Sequence, residues 1–243
     1  MNRPLIWAHR GASGHAPENT LPAFRLAAEM GADGVELDVQ LSKDGEIVVC
    51  HDETVDRTSS AKGCVRDYTL DELKRMDFSC GNLAWEGVRI PTLEEVLDLL
   101  EGTGLTVNIE LKTGVFFYPG LEEKVVELVR RKGWQDRILY SSFNHRSLQL
   151  IRGIDPQART GLLYADGLVR VVPYAREVGV SALHPALYNL QYPDVVREAR
   201  ENGLDINVWT VNSEAEILLC RGMGVHAIIT NYPDKVRRIL EQK

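Results

Sequence analysis

The stretch "GVELDVQLSKDG", Gly34 to Gly45, places two carboxylates, Glu36 and Asp38, inside an apolar run that otherwise reads as a buried strand. Residues at i and i+2 of a strand point to the same face. Both acids therefore enter one environment side by side, and a chain that buries such a pair must give it a reason.

Working outward, short apolar runs alternate with longer helical patterns along the whole chain. Strand-like runs are "LIWAH" (5–9), "GVELDV" (34–39), "IVVCH" (47–51), "TVNIEL" (106–111), "RILYSSF" (137–143), "RTGLLY" (159–164), "SALHP" (181–185), "DINVWTV" (205–211) and "AIIT" (227–230). Between most of them lie amphipathic stretches that end at glycine, a common helix stop, such as "GLEEKVVELVRRKG" and "SEAEILLCRGMG". Repeated β-then-α means a parallel sheet, and roughly eight such units in a chain of this size suit an α/β fold of the (β/α)8 TIM-barrel type. An open doubly wound sheet is the alternative; no G-x-G-x-x-G follows the first strand, where a dinucleotide fold would carry it. Two of the nine runs, 34–39 and 47–51, are separated by the hairpin-like "KDGE" and share one barrel position or extend it as a ribbon. Residues 52–90 hold no clear strand and read as a small insertion after the second strand.

Length and composition suit one domain over residues 1–243. Hydrophobic residues make up 44% and charged residues 26%, ample for a core, and the net charge of −7 argues against non-specific binding to nucleic acid or an anionic membrane. The four cysteines show no C-x-x-C spacing, so buried free thiols are expected rather than zinc or a redox pair. No apolar leader opens the sequence and no apolar run reaches the length of a membrane span, so a reduced, cytoplasmic setting without stable membrane association is expected. Exposed barrel helices often support dimers, and nothing in the sequence specifies a homodimer.

In a barrel of this type the site lies at the C-terminal ends of the strands. The polar residues there converge: His9 and Arg10, Glu36 and Asp38, His51 and Asp52, Glu110 and Lys112, Trp209 and Asn212. Three inward carboxylates, Glu36, Asp38 and Glu110, need protonation or a cation, and oxygen ligands on rigid strands select one hard divalent cation, Mg2+ or Ca2+. The competing reading pairs them with Arg10 or Lys112 as a structural ion network. His9 and His51 end separate strands and can flank a substrate as general base and general acid near neutral pH. Arg10 and Lys112 beside a metal form a receptor for a phosphate group, Arg as a fork and Lys as a point charge. Trp209 serves equally as an apolar wall for a substrate backbone or as a barrel-core residue. In "APENTLPAF", Asn19 or Thr20 caps the first helix, and Glu18 is within reach of the site. Hydrolysis of a phosphate ester accounts for this set with the fewest assumptions.

"HRG" (9–11), "PENT" (17–20), "ELDV" (36–39), "HD" (51–52), "ELK" (110–112), "WTVN" (209–212) and "TNYP" (230–233) resemble, in that order, the glycerophosphodiester phosphodiesterase family. The resemblance covers nearly the whole chain. It implies a TIM barrel with an insertion after the second strand, a divalent ion on Glu36, Asp38 and Glu110, acid/base work by His9 and His51, and phosphate contacts from Arg10 and Lys112. The implied reaction releases sn-glycerol 3-phosphate and an alcohol from a small-molecule phosphodiester. One departure is Asn231, which stands in "TNYP" where the family usually has an acid. The glycerol hydroxyl next to the phosphorylated one is placed to attack phosphorus within the same molecule, which replaces a bimolecular step and gives a cyclic phosphate. Two alternatives remain at this stage: a lysophospholipase-D-like phosphodiesterase, and a non-catalytic phosphate-ligand-binding barrel.

Overall fold

Strand and helix alternate along residues 3–242, which the structure, a computed structural model, describes; residues 1, 2 and 243 of the expected 1–243 unit lie outside it. The strands are β1 (Leu5–His9), β2 (Gly34–Leu41), β3 (Ile47–Val49), β4 (Thr106–Leu111), β5 (Ile138–Ser142), β6 (Thr160–Tyr164), β7 (Ala182–Pro185), β8 (Asp205–Val208) and β9 (Ala227–Thr230). The helices are α1 (Leu21–Glu29), α2 (Leu70–Arg75), α3 (Leu93–Leu100), α4 (Leu121–Lys132), α5 (His145–Ile154), α6 (Val171–Val178), α7 (Pro193–Glu201), α8 (Glu214–Met223) and α9 (Pro233–Glu241). The ladder runs β1-β9-β8-β7-β6-β5-β4-β2, and β1 also pairs with β2, so eight parallel strands close into a (β/α)8 barrel. The ninth strand, β3, pairs antiparallel with β2 alone and extends that barrel position as a ribbon.

All eight residues of β2 are buried, because helices cover one face of a barrel strand and neighbouring strands' side chains fill the other. Val35, Leu37 and Val39 join Val107, Ile109 and Leu111 of β4 in an apolar layer with Phe24, Leu97 and Val125 of the helices. The alternate residues, Glu36, Asp38, Asn108 and Glu110, turn to the barrel interior. The register then sets them beside one another: His9 lies opposite Glu36, Glu36 opposite Asn108, and Asp38 opposite Glu110.

Helix starts follow local chemistry. Thr69–Glu72, Thr92–Glu95 and Ser213–Glu216 form reciprocal capping boxes at α2, α3 and α8, and Gly133 at φ 71° ends α4. At α1 the cap is Thr20, whose hydroxyl accepts from the Ala23 amide, which frees Asn19 for another task. Between β3 and α3 the chain makes short helical turns and α2 around a satellite core of Val48, Cys50, Val55, Val65, Leu73, Phe78 and Ile90. The expected strand 205–211 stops at Val208, and Trp209 continues it only as an isolated parallel bridge to Ala186.

Candidate active site

The three sequence-predicted acids meet. Glu36, Asp38 and Glu110 are 4%, 0% and 8% exposed, and each offers a carboxylate oxygen within 4.8 Å of the other two. Lys112 Nζ lies 3.1 Å from Glu110 Oε1 and 4.0 Å from Asp38 Oδ1, and Arg10 Nε lies 3.6 Å from Asp38 Oδ2. Among the described residues Glu36 has no such cation at contact; its Oε2 accepts the backbone N–H of Arg10 at 3.0 Å. Burial, then the charges of Asp38 and Glu110, push Glu36 well above the usual carboxylate range. Burial acts against Asp38 as well, but Arg10, His51, Lys112 and the amide of Asn19 together hold it below that range.

These acids fit a hard divalent cation. Among the described residues Asp38 Oδ1, fully buried, has no hydrogen-bond partner, and three oxygen donors of one sign converge where ligands of a metal must. Among the described residues no histidine nitrogen or cysteine sulfur belongs to the cluster, which points away from zinc.

The loop after β1 explains the local sequence. Arg10 sits at φ 57° and Gly11 at φ 78°, turning the chain so that a Cβ on Gly11 would lie 2.6 Å from the Ala23 carbonyl carbon. A glycine is needed there by both conformation and space. Asn19, also left-handed at φ 56°, donates Nδ2 to Asp38 Oδ2 at 2.8 Å, so the residue read as a possible cap orients a carboxylate instead. Glu18 does reach the site: its Oε1 accepts from Arg10 Nη1 at 2.9 Å.

His9 and His51 line one cavity with Arg10, Glu36, Glu110 and Trp209. His9 Nδ1 lies 2.7 Å from Asn231 Oδ1, and burial followed by the Arg10 charge pushes His9 down to about 4. His51 Nδ1 lies 2.7 Å from Asp52 Oδ1, and hydrogen bonds from Arg57 and then His51 hold Asp52 far below the carboxylate range. With an oxygen acceptor on each Nδ1, both rings carry that proton and leave Nε2 for the cleft. The segment carrying His51 is pinned from below by Gln40, whose Nε2 donates to the carbonyls of Cys50 and Asp52 at 2.8 and 2.7 Å.

Trp209, half-buried, packs against the barrel core and lines the cavity. Its Nε1 donates to the His184 carbonyl at 2.8 Å, anchoring it to the barrel, while its ring meets Phe143 edge-on at 5.6 Å and walls the cavity. Sequence reading passed over Gln40, Arg57, Asn108 and Phe143, and took Asn19 only as a cap. Asn108 and Gln40 carried a signal, polar residues within buried strands; Arg57, in a polar loop, carried no periodic one.

Residues 9–235 match the glycerophosphoryl diester phosphodiesterase family. A glycerophosphodiester phosphodiesterase of Caldanaerobacter subterraneus is 42% identical over 241 residues, 99% of each chain, and one of Bacillus altitudinis is 42% identical over 240 residues, 98% of each. The solved structure of an Oleispira antarctica phosphodiesterase in complex with the product sn-glycerol-3-phosphate superposes with a TM-score of 0.92 at 30% identity, covering 99% of this chain and 98% of that one. A barrel with carboxylates and histidines gathered at its mouth, matched along almost its whole length, makes this chain an enzyme of the glycerophosphodiester phosphodiesterase family.

Proposed function

We propose that the protein hydrolyses glycerophosphodiesters to sn-glycerol 3-phosphate and an alcohol, with His9 and His51 as the proton-transfer pair and one divalent cation on Glu36, Asp38 and Glu110. The observation that carries this reading is the placement of both imidazoles in one cavity above three buried acids flanked by Arg10 and Lys112. The product seen with the Oleispira antarctica relative supports the substrate class. When bound, a Mg2+ or Ca2+ ion supplies Lewis acidity toward phosphoryl and hydroxyl oxygens.

Charge balance agrees. Three carboxylates against Arg10 and Lys112 leave the inner site at −1. A divalent ion brings it to +1, which one phosphodiester anion neutralises. Arg10 and Lys112 hold the phosphate oxygens. The two imidazoles divide the proton work by their partners. Asn231 is a neutral acceptor and burial keeps His9 unprotonated, so its Nε2 is the base that takes the proton of the glycerol hydroxyl beside the phosphoryl group. That hydroxyl attacks phosphorus. His51, whose Nδ1 is held by Asp52, protonates the departing alcohol. Water then opens the cyclic phosphate with the roles exchanged. Trp209 and Phe143 give the organic part of the substrate an apolar wall. We read residues 1–243 as one domain in which 52–90 is an insertion feeding this site.

The test is release of glycerol 3-phosphate from glycerophosphocholine after chelation, and again with Mg2+ or Ca2+ restored, for the wild type and for His9→Ala and His51→Ala. Activity that vanishes with chelator, returns with an ion and is lost from both variants is expected. Chelator-resistant activity, or brisk turnover of a diester lacking the neighbouring hydroxyl, overturns the route. A second reading has its own observation: Val169 and Tyr192, 91% and 59% exposed on the segments after β6 and β7, line a groove of ≈ 580 Å³. Such a rim suits an alcohol carrying an alkyl or acyl chain, as in a lysophospholipid. Comparing a micellar lysolipid with glycerophosphocholine separates the two.

A further inference from the structure

Arg57 belongs to none of the roles above, yet its guanidinium touches two of the residues that serve them. Nη1 and Nη2 donate to the two oxygens of Glu18, each at 2.7 Å, and Nε and Nη2 donate to the two oxygens of Asp52 at 2.8 and 3.0 Å. One planar fork thus binds two carboxylates bidentately, a geometry lysine cannot reproduce. Each carboxylate spends an oxygen on a site residue as well: Glu18 Oε1 on Arg10 at 2.9 Å, and Asp52 Oδ1 on His51 Nδ1 at 2.7 Å. The result is a continuous chain, Arg10–Glu18–Arg57–Asp52–His51, spanning the cavity from its phosphate-binding side to its acid.

An isolated surface ion pair contributes little and fixes little. This one differs in its inner members: the Glu18 side chain is 16% exposed and Asp52 26%, and each is saturated by partners on both sides. Arg57 is itself held by the segment after β3. Val55, two residues earlier, is fully buried in the satellite core, and Thr58, the next residue, is 5% exposed with its carbonyl accepting from Cys80. The satellite core therefore fixes the height of Arg57 over the barrel mouth.

We propose that Arg57 is a positioning residue for the reaction: through Glu18 it sets the guanidinium of Arg10, and through Asp52 it sets the tautomer and tilt of His51, so that phosphate binding and proton transfer are assembled by one side chain. This rests on the roles given to Arg10 and His51 above. The segment between β3 and α3 then acts as more than a connection, since it delivers the residue that ties the two halves of the site together.

The test is steady-state kinetics of the metal-saturated enzyme on glycerophosphocholine. Glu18→Gln cuts only the arm to Arg10 and should raise KM; Asp52→Asn cuts only the arm to His51 and should lower kcat, each by about 10- to 100-fold as for other supporting partners. Arg57→Ala should do both, and adding Asp52→Asn to it should cost kcat little more, because the arm is already broken. Arg57→Lys, which keeps the charge without the fork, should recover little, whereas guanidinium ion at non-denaturing concentration should restore part of the kcat of Arg57→Ala. Values of kcat and KM for Arg57→Ala within about threefold of wild type, with Arg10→Ala and His51→Ala inactive, overturn the proposal. So does a loss that follows only the folded fraction, read by thermal unfolding; should Arg57→Ala fail to fold, Arg57→Gln and Arg57→Lys carry the same comparison. Activity retained by Arg10→Ala or His51→Ala would instead overturn the reading beneath it.

Discussion

Replacing Glu36 with glutamine separates a metal ligand from a structural ion-pair partner by the sign of its effect. Asp38 and Glu110 have cations at 3.6 and 3.1 Å, on Arg10 and Lys112, while Glu36 is the surplus negative charge. With ligand oxygens of all three acids within 4.8 Å, each pair repels by about 3.5 kcal/mol at an effective dielectric of ~20. Burial and these neighbours raise the Glu36 pKa, so a bound proton relieves part of that repulsion in the metal-free protein. The expected gain from Glu36→Gln without metal is therefore between zero and about 3 kcal/mol. A buried structural partner predicts the reverse, a loss of about 3–5 kcal/mol when its charge is removed. The assay is thermal unfolding in chelator and then in rising Mg2+ or Ca2+. An ion at about 100 times its Kd adds about 2.7 kcal/mol to the wild type. In a chain of 243 residues that is roughly 5–11 °C. The variant should unfold at or above the wild-type temperature in chelator and lose most of the ion-induced rise. A wild type indifferent to both ions, or a variant several degrees less stable in chelator, refutes the reasoning.

Asn231→Asp puts a carboxylate 2.7 Å from His9 Nδ1, which raises the His9 pKa from about 4 by roughly 1–2 units. If neutral His9 is the base, the acid limb of the kcat/KM profile must move up in pH by a similar amount; an unmoved limb assigns the base elsewhere. His184, buried in the barrel with Nε2 accepting from Asn207 at 2.9 Å, is pushed by burial from its ordinary 6.5 down to about 3. In that window the unfolded chain binds a proton the folded chain refuses, so stability falls as pH falls. Between about pH 7 and about pH 4 the wild type should lose about 3 kcal/mol more than His184→Asn in urea titrations, and parallel losses would contradict the assignment.

Much of the candidate site was legible because its chemistry is written in strand periodicity. Glu36 and Asp38 share a face at i and i+2, and Glu110 stands one strand over in the same register, so three acids on one wall follow from the sequence once the barrel is drawn. His9 follows from ending its strand, whereas β3 stops at Val49 and the expected strand 47–51 does not reach His51, which stands two residues beyond it. The capping of α1 was less legible, since Asn19 and Thr20 are both good caps and only the fold shows that Asp38 claims the amide of Asn19.

The sequence by itself determined the βα alternation, and hence the parallel barrel, because hydrophobic spacing and glycine stops act within a few residues of the chain. It also determined which residue types stand at the strand ends. What only the tertiary structure decided are the partners that distinguish one histidine from the other. Asn231 reaches His9 across 222 residues, and Arg57 reaches Glu18 across 39. Barrel closure brings β1 against β9, and the satellite core lifts Arg57 over the mouth; neither leaves a periodic trace in the sequence around these residues. Local patterns choose the elements, while the hydrogen bonds that set proton affinity depend on which distant elements close upon one another.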